Sequence, residues 1–252
     1  MGAFFHEFGS GFALVFTGIE AFFRQRRYWR HTVKPLGCLF LVYALATWLW
    51  LSWSLKLAAY LENSIREWPK SLHFLASAAG SAALVVAILL LAVLIFTTIG
   101  AVYEVLGGIF FDRMVICYAQ DHYKLPSPNG SPAVSFRLWF DSLRCGLGTW
   151  LCYPVMLLAL CFLPVIGNIL WFVVFGWRYG VAFLLSPASG CRGVALPQLR
   201  RLFPGHRAKI LGFGFAAYLL LLIPMASLLL LPGIVIGATH LFNDTLMPTP
   251  KR

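Results

Sequence analysis

The sequence predicts an all-α membrane protein: two long transmembrane helices, two re-entrant (hemi-penetrating) helical hairpins and an N-terminal amphipathic helix. Three observations carry this. Of 252 residues, 60% are hydrophobic and 12% charged, with a mean hydropathy of +0.79, whereas soluble domains are about half apolar. The charges cluster between apolar runs instead of following helical faces. Finally, two apolar hairpins are cornered by prolines, one around Pro164-Val165-Ile166-Gly167-Asn168 and one between Pro224 and Pro232. Proline sets φ, glycine frees it and asparagine can cap a helix start, so these corners read as turns.

Taken in order, Phe12, Val15, Phe16, Ile19, Phe22 and Phe23 recur at helical spacing. Thr17, Glu20 and Gln25 interrupt this stripe too much for a span, so the helix is expected to lie in the interface. The N-terminus has no basic n-region and no small-residue cleavage site, and it is expected to remain in place. Arg24 to Lys34 is basic, with Tyr28 and Trp29 as interfacial anchors and Pro35 suited to open the next helix. Leu36 to Leu61 is long enough for a first span, for which ~20 residues suffice. Phe74 to Phe111 exceeds one span and is expected to cross, then leave the bilayer, with a bend near Gly100, Gly107 and Gly108.

The polar stretch that follows reads as a solvent loop, centred on the turn-rich Leu125 to Pro132. The chain thus forms one membrane domain over 1–252: an amphipathic segment (1–35), a first span (36–61), a second long helix (74–111) and a cytoplasmic segment (112–146). A first hairpin (147–186), a basic cytoplasmic segment (187–209), a second hairpin (210–243) and a tail (244–252) complete it.

Arm length decides how deep the hairpins go. Ile210 to Ile223 and Leu228 to Phe242 are each near ~21 Å as helix, short of a ~30 Å hydrocarbon core. Re-entrant segments fit them better, although six full spans with prolines at the far interface stay open. Either version puts the rich Lys/Arg clusters, five from Arg24 to Lys34, four from Arg113 to Arg144 and five from Arg192 to Lys209, on one face. By the positive-inside rule that face is cytoplasmic, with both termini. The net charge of +11 is therefore assigned to the membrane surface and its lipids, not to nucleic acid. The six cysteines include no Cys-x-x-Cys pair and read as helix filler, with no metal or cofactor implied.

Several stretches together resemble one family. Gly11-Phe12 with Gly18, the basic stretch closed by Pro35, and Phe110-Phe111-Asp112-Arg113 match its pattern. So do Leu163-Pro164-x-x-Gly167, Leu170-Trp171-Phe172 through Trp177, Ile223-Pro224 to Pro232, and Gly237-Ala238-Thr239. The chain is similar to the CysZ-type sulfate permeases, which share a family with the etoposide-induced membrane proteins. The resemblance implies a fold of two long helices and two hemi-penetrating hairpins. It also implies a bacterial inner-membrane permease or channel feeding sulfate to cysteine synthesis, without ATP hydrolysis, and a homo-oligomer is expected. The chain departs from the family at Ile109, Ile116 and Leu185-Ser186, where a proline, an acidic residue and an acidic residue are usual.

Candidate site residues follow from chemistry. Arg26, Arg27 and Arg30 offer guanidinium forks for a doubly charged oxyanion, or else an anchor for lipid headgroups. The family carries an arginine pair here; Arg30 matches one member and Trp29 replaces the other. Glu104 and Arg178 lie in apolar runs, where an unpaired charge costs about 2.5–3.5 kcal/mol, so they are expected to pair or to line a polar path. Gly167 and Asn168, at the first hairpin tip, could meet an anion with backbone groups or form a plain turn. No nucleophile elbow, Walker sequence or carboxylate pair occurs, so no catalytic residue is assigned and no enzyme is predicted. The alternative to a permease is a non-transporting membrane scaffold or assembly protein on the same fold.

Overall fold

The computed structural model describes residues 2–66, 73–125 and 164–248, and among these it is helical without strands. The elements are α1 (Gly2–Arg24), a 3₁₀ turn (Arg26–Tyr28), α2 (Trp29–Arg66), α3 (His73–Tyr123), α4 (Pro164–Arg192), α5 (Leu196–Leu202), α6 (Arg207–Leu221), α7 (Pro224–His240) and a π-helical turn (Leu241–Leu246). Four stretches are long and apolar enough to cross a membrane: Arg26–Ser64, Ser81–Glu104, Gly167–Arg192 and Ala226–Leu246. This is the build of a multi-pass membrane protein.

α2 and α3 form a long antiparallel pair, tied by Tyr43 to Thr98 (2.9 Å) and by Trp50 Nε1 donating to the Ala87 carbonyl (2.9 Å). Away from this seam their apolar side chains, such as Phe40, Trp48, Trp53, Leu89 and Phe96, point outward. Such surface suits hydrocarbon, not water. The core lies elsewhere, where α1, α6, α7, α4 and the end of α3 meet.

Glycines set the crossings in that core. A Cβ on Gly214 of α6 would strike the Gly176 carbonyl and the Gly180 nitrogen of α4, which form a Gly-x-x-x-Gly pair. A Cβ on Gly18 of α1 would strike Gly233 and Gly237 of α7, a second such pair. Small residues four apart let helix backbones approach closely where lipid supplies little hydrophobic drive. α1 therefore buries Gly11, Val15, Gly18 and Phe22 against its own chain, on α6 and α7.

Several boundaries differ from expectation. Pro35 sits inside α2, not at its start. α3 is one helix through Gly100, Gly107 and Gly108, and it continues through 112–123, the stretch expected to be a solvent loop. There Phe111, Met114, Val115, Tyr118 and Ala119 repeat at i, i+3, i+4, i+7, i+8 and are buried, a helical stripe hidden by the polar residues between. Pro164 opens α4, so Gly167 and Asn168 belong to its first turn instead of a loop. α4 runs through Pro187 to Arg192, past the expected hairpin end. The second hairpin turns at Leu222–Ile223, and Pro232 lies within α7. α6 is 15 residues long, but α7 joins the π-helical turn into a 21-residue stretch, longer than the arm expected there. The first hairpin's leading arm and the turn-rich Pro126–Pro132 loop lie outside the described residues.

Candidate functional site

The basic segment is shaped by one buried tyrosine. The chain leaves α1 at Arg24, whose guanidinium pairs with Glu20 at 3.4 Å on the surface. It then tightens into the 3₁₀ turn, closed by the Tyr28 N–H donating to the Gln25 carbonyl (3.1 Å). Tyr28 is 1% exposed, packs edge-on to Tyr118, and donates its hydroxyl to Asp121 Oδ2 (2.9 Å). Arg27 Nη1 donates to the same oxygen at 3.0 Å. Both partners are largely exposed, so this pair adds little stability. Tyr28 is the pin, and it leaves Arg26, Arg27 and Arg30 facing outward.

Tertiary structure brings a further cation. His31 feels the charges of Lys34, Arg30, Arg113 and Arg27 together. Arg113 comes from α3, in the turn expected to be loop, and is exposed. Among the described residues Arg26, Arg30 and Arg113 have no carboxylate within ion-pair distance. The result is a rim of guanidinium and ammonium groups from the basic segment and α3, balanced in part by Asp121. Sequence reasoning missed Arg113; its one signal was its place directly after Phe110-Phe111-Asp112, on a face of the continued helix.

The other expected residues do not join this rim. Glu104 is half-buried on α3 and no ion pair links it to Arg178 among the described residues. Arg178, half-buried on α4, has a partner of its own. Gly167 is buried and Asn168 exposed at the opposite end of α4 from Arg192, about 37 Å away at helical rise.

Next to the rim lies a buried polar knot that sequence analysis did not find. His240, at the end of α7, meets the Tyr118 hydroxyl at Nε2 (2.7 Å) and the Tyr123 hydroxyl at Nδ1 (2.8 Å). Asp244 in the π-helical turn lies 3.3 Å from Nδ1. Burial, with help from Asp244, pushes the Tyr118 hydroxyl up to about 12. Burial first, then the hydrogen bond to Asp244, raises Tyr123 as well. Both phenols therefore stay protonated and can donate. Further along α3, Asp112 accepts from Ser186 of α4 at 2.5 Å. Burial raises its carboxyl to about 6, against the lowering effect of that hydrogen bond.

Comparison with known proteins agrees with this architecture. The family described as "Sulfate transporter CysZ/Etoposide-induced protein 2.4" matches residues 14–232. A curated relative, "Sulfate transporter CysZ" of Pectobacterium atrosepticum, is 29% identical over 102 residues, which are 39% of this chain. The match spans 37% of that relative's length. With its profile running from the middle of α1 to the middle of α7, the chain belongs to the Sulfate transporter CysZ/Etoposide-induced protein 2.4 family.

Proposed function

We propose that the protein is an inner-membrane permease or channel for sulfate or a related oxyanion, working without a cofactor and without catalysis of a chemical reaction. The observation that carries this reading is the basic rim: Arg27, Arg30 and Lys34 of the basic segment and Arg113 of α3 lie near enough to His31 for their charges to act on it. Sulfate is a compact dianion with several acceptor oxygens, and converging guanidinium forks suit it in charge and geometry. The relative's name supports the same substrate class. Both termini are taken as cytoplasmic, where the basic clusters favour the anionic leaflet, and copies of the chain are taken to associate. The α6–α7 hairpin is assigned as re-entrant because α6, at 15 residues, reaches only about 22 Å. Glu104 and Arg178 are assigned to the polar route across the bilayer, since buried charge is otherwise costly.

Labelled sulfate uptake into proteoliposomes tests the proposal. Replacing Arg26, Arg27 and Arg30 with Gln removes three charges and keeps side-chain length and much hydrogen-bonding capacity. Uptake and sulfate affinity are expected to fall at least about tenfold, as charge-assisted hydrogen bonds are lost, while insertion is unchanged. If orientation or lipid association suffers instead and wild-type protein passes no oxyanion, the scaffold reading replaces this one.

A further inference from the structure

The end of α4 is fastened independently of its last side chain. Gly193, with φ +64, closes the helix, its N–H donating to the Ser189 carbonyl (3.0 Å) and the Val194 N–H to the Ala188 carbonyl (2.9 Å). This backbone cap leaves the Arg192 guanidinium free of capping duty. The same stretch is held to α3 by Ser186 on Asp112, by the Cys191 thiol on the Val115 carbonyl (3.9 Å) and by Gly190 facing Ile116.

Arg192 as a residue is partly exposed, yet its Nε and Nη2 atoms are shut off from solvent and meet no hydrogen-bond partner among the described residues. These two nitrogens form one edge of the guanidinium, whose N–H groups point in parallel. That edge is the fork that grips two oxygens of a carboxylate, sulfate or phosphate. Buried donors of a charged group are expensive to leave unmet. A protein carboxylate belongs to the same α3–α4 contact, where Ser186 meets Asp112 and Cys191 reaches the Val115 carbonyl. Asp112 nevertheless accepts from Ser186 and forms no ion pair with Arg192.

We infer that the shielded Nε–Nη2 edge of Arg192, at the end of α4 that packs on the Asp112–Ile116 turn of α3, binds a tetrahedral oxyanion of the sulfate class. Arg113 lies in that same turn and its charge acts on His31, so this turn of α3 links the end of α4 to the surface rim. An anion gathered at the rim would be passed to a shielded bidentate contact. This inference rests on the oxyanion-permease reading and assigns it an internal station.

Titration calorimetry of the purified full chain with sodium sulfate tests it, using Arg192→Lys, Arg192→Gln and the triple arginine variant, with melting curves as the folding control. Lysine keeps the charge and loses the fork, so Arg192→Lys is expected to weaken sulfate binding about tenfold. Arg192→Gln is expected to weaken it further. Wild-type affinity in both variants, or no sulfate binding by wild type, would overturn the assignment. If the variants fail to fold, crystals of wild type soaked in selenate decide: an anomalous peak on Nε and Nη2 supports the site, and a water or the Asp112 carboxylate there removes it. Uptake measured on the same proteins separates the two claims. Flux that ignores Arg192 keeps the permease and removes this station, whereas Arg192-dependent binding without flux keeps the station and removes the permease.

Discussion

At Asp112, burial of a carboxyl and the hydroxyl it accepts from oppose one another, and burial wins. Its value rises from 3.8 to about 6, so the folded chain holds this proton more tightly than the unfolded chain. Its contribution to stability is therefore full below about pH 3.8, declines as pH rises, and is lost above about pH 6. Asp112→Asn removes the titration while the amide oxygen can still accept from Ser186. The variant is expected to melt above wild type near pH 8 and level with it near pH 4, as thermal unfolding in detergent would read. A wild-type melting temperature flat across this range would show that Asp112 stays solvated.

Between elements, the decisive contacts are backbone to backbone. Gly214 meets Gly176 and Gly180 across the α4–α6 crossing, and Gly18 meets Gly233 and Gly237 across α1–α7. A side chain at either point must push two helices apart. Gly214→Leu is expected to cost at least about 1–3 kcal/mol, the usual range for overpacking, measured by denaturant or thermal unfolding. The exposed neighbour Leu222→Cys should be nearly neutral and serves as the control and as a depth marker. If α6 and α7 form a re-entrant hairpin, Cys at 222 or 223 resists an impermeant thiol reagent applied to the face opposite the termini. Strong labelling from that face would make α6 and α7 full spans. The described native thiols Cys38, Cys117 and Cys191 are unpaired, so a background without them is needed.

For the whole molecule, the permease proposal makes sulfate capture a screened, surface process, given the +11 charge and the exposed rim. Raising ionic strength from about 0.05 to 0.5 M shortens the reach of such charges several-fold. The KM for sulfate uptake is expected to rise several-fold with little change in maximal rate. A KM indifferent to salt would move the recognition step away from Arg26, Arg30 and Arg113.

Composition and hydropathy suffice for the membrane class, the helical build of the described residues and the span-long apolar stretches of α2 and α3, because these follow from lengths and transfer energies that each segment carries by itself. The family was legible too, in short motifs such as Phe110-Phe111-Asp112-Arg113 and Leu163-Pro164-x-x-Gly167, which lie within the residues matched. The end of α3 was misread as loop since its polar residues, Asp112, Arg113, Gln120 and Asp121, are used on faces that only neighbouring helices reveal. Asp112 goes to Ser186 and Asp121 to Tyr28 and Arg27, while the charge of Arg113 acts on His31. The same holds for His240, a scattered histidine in sequence and the centre of a knot in space. Which polar groups meet depends on helix crossings set by glycines far apart in the chain. No single segment encodes that distance, so pairing, burial and the unmet edge of Arg192 come from the packed molecule alone.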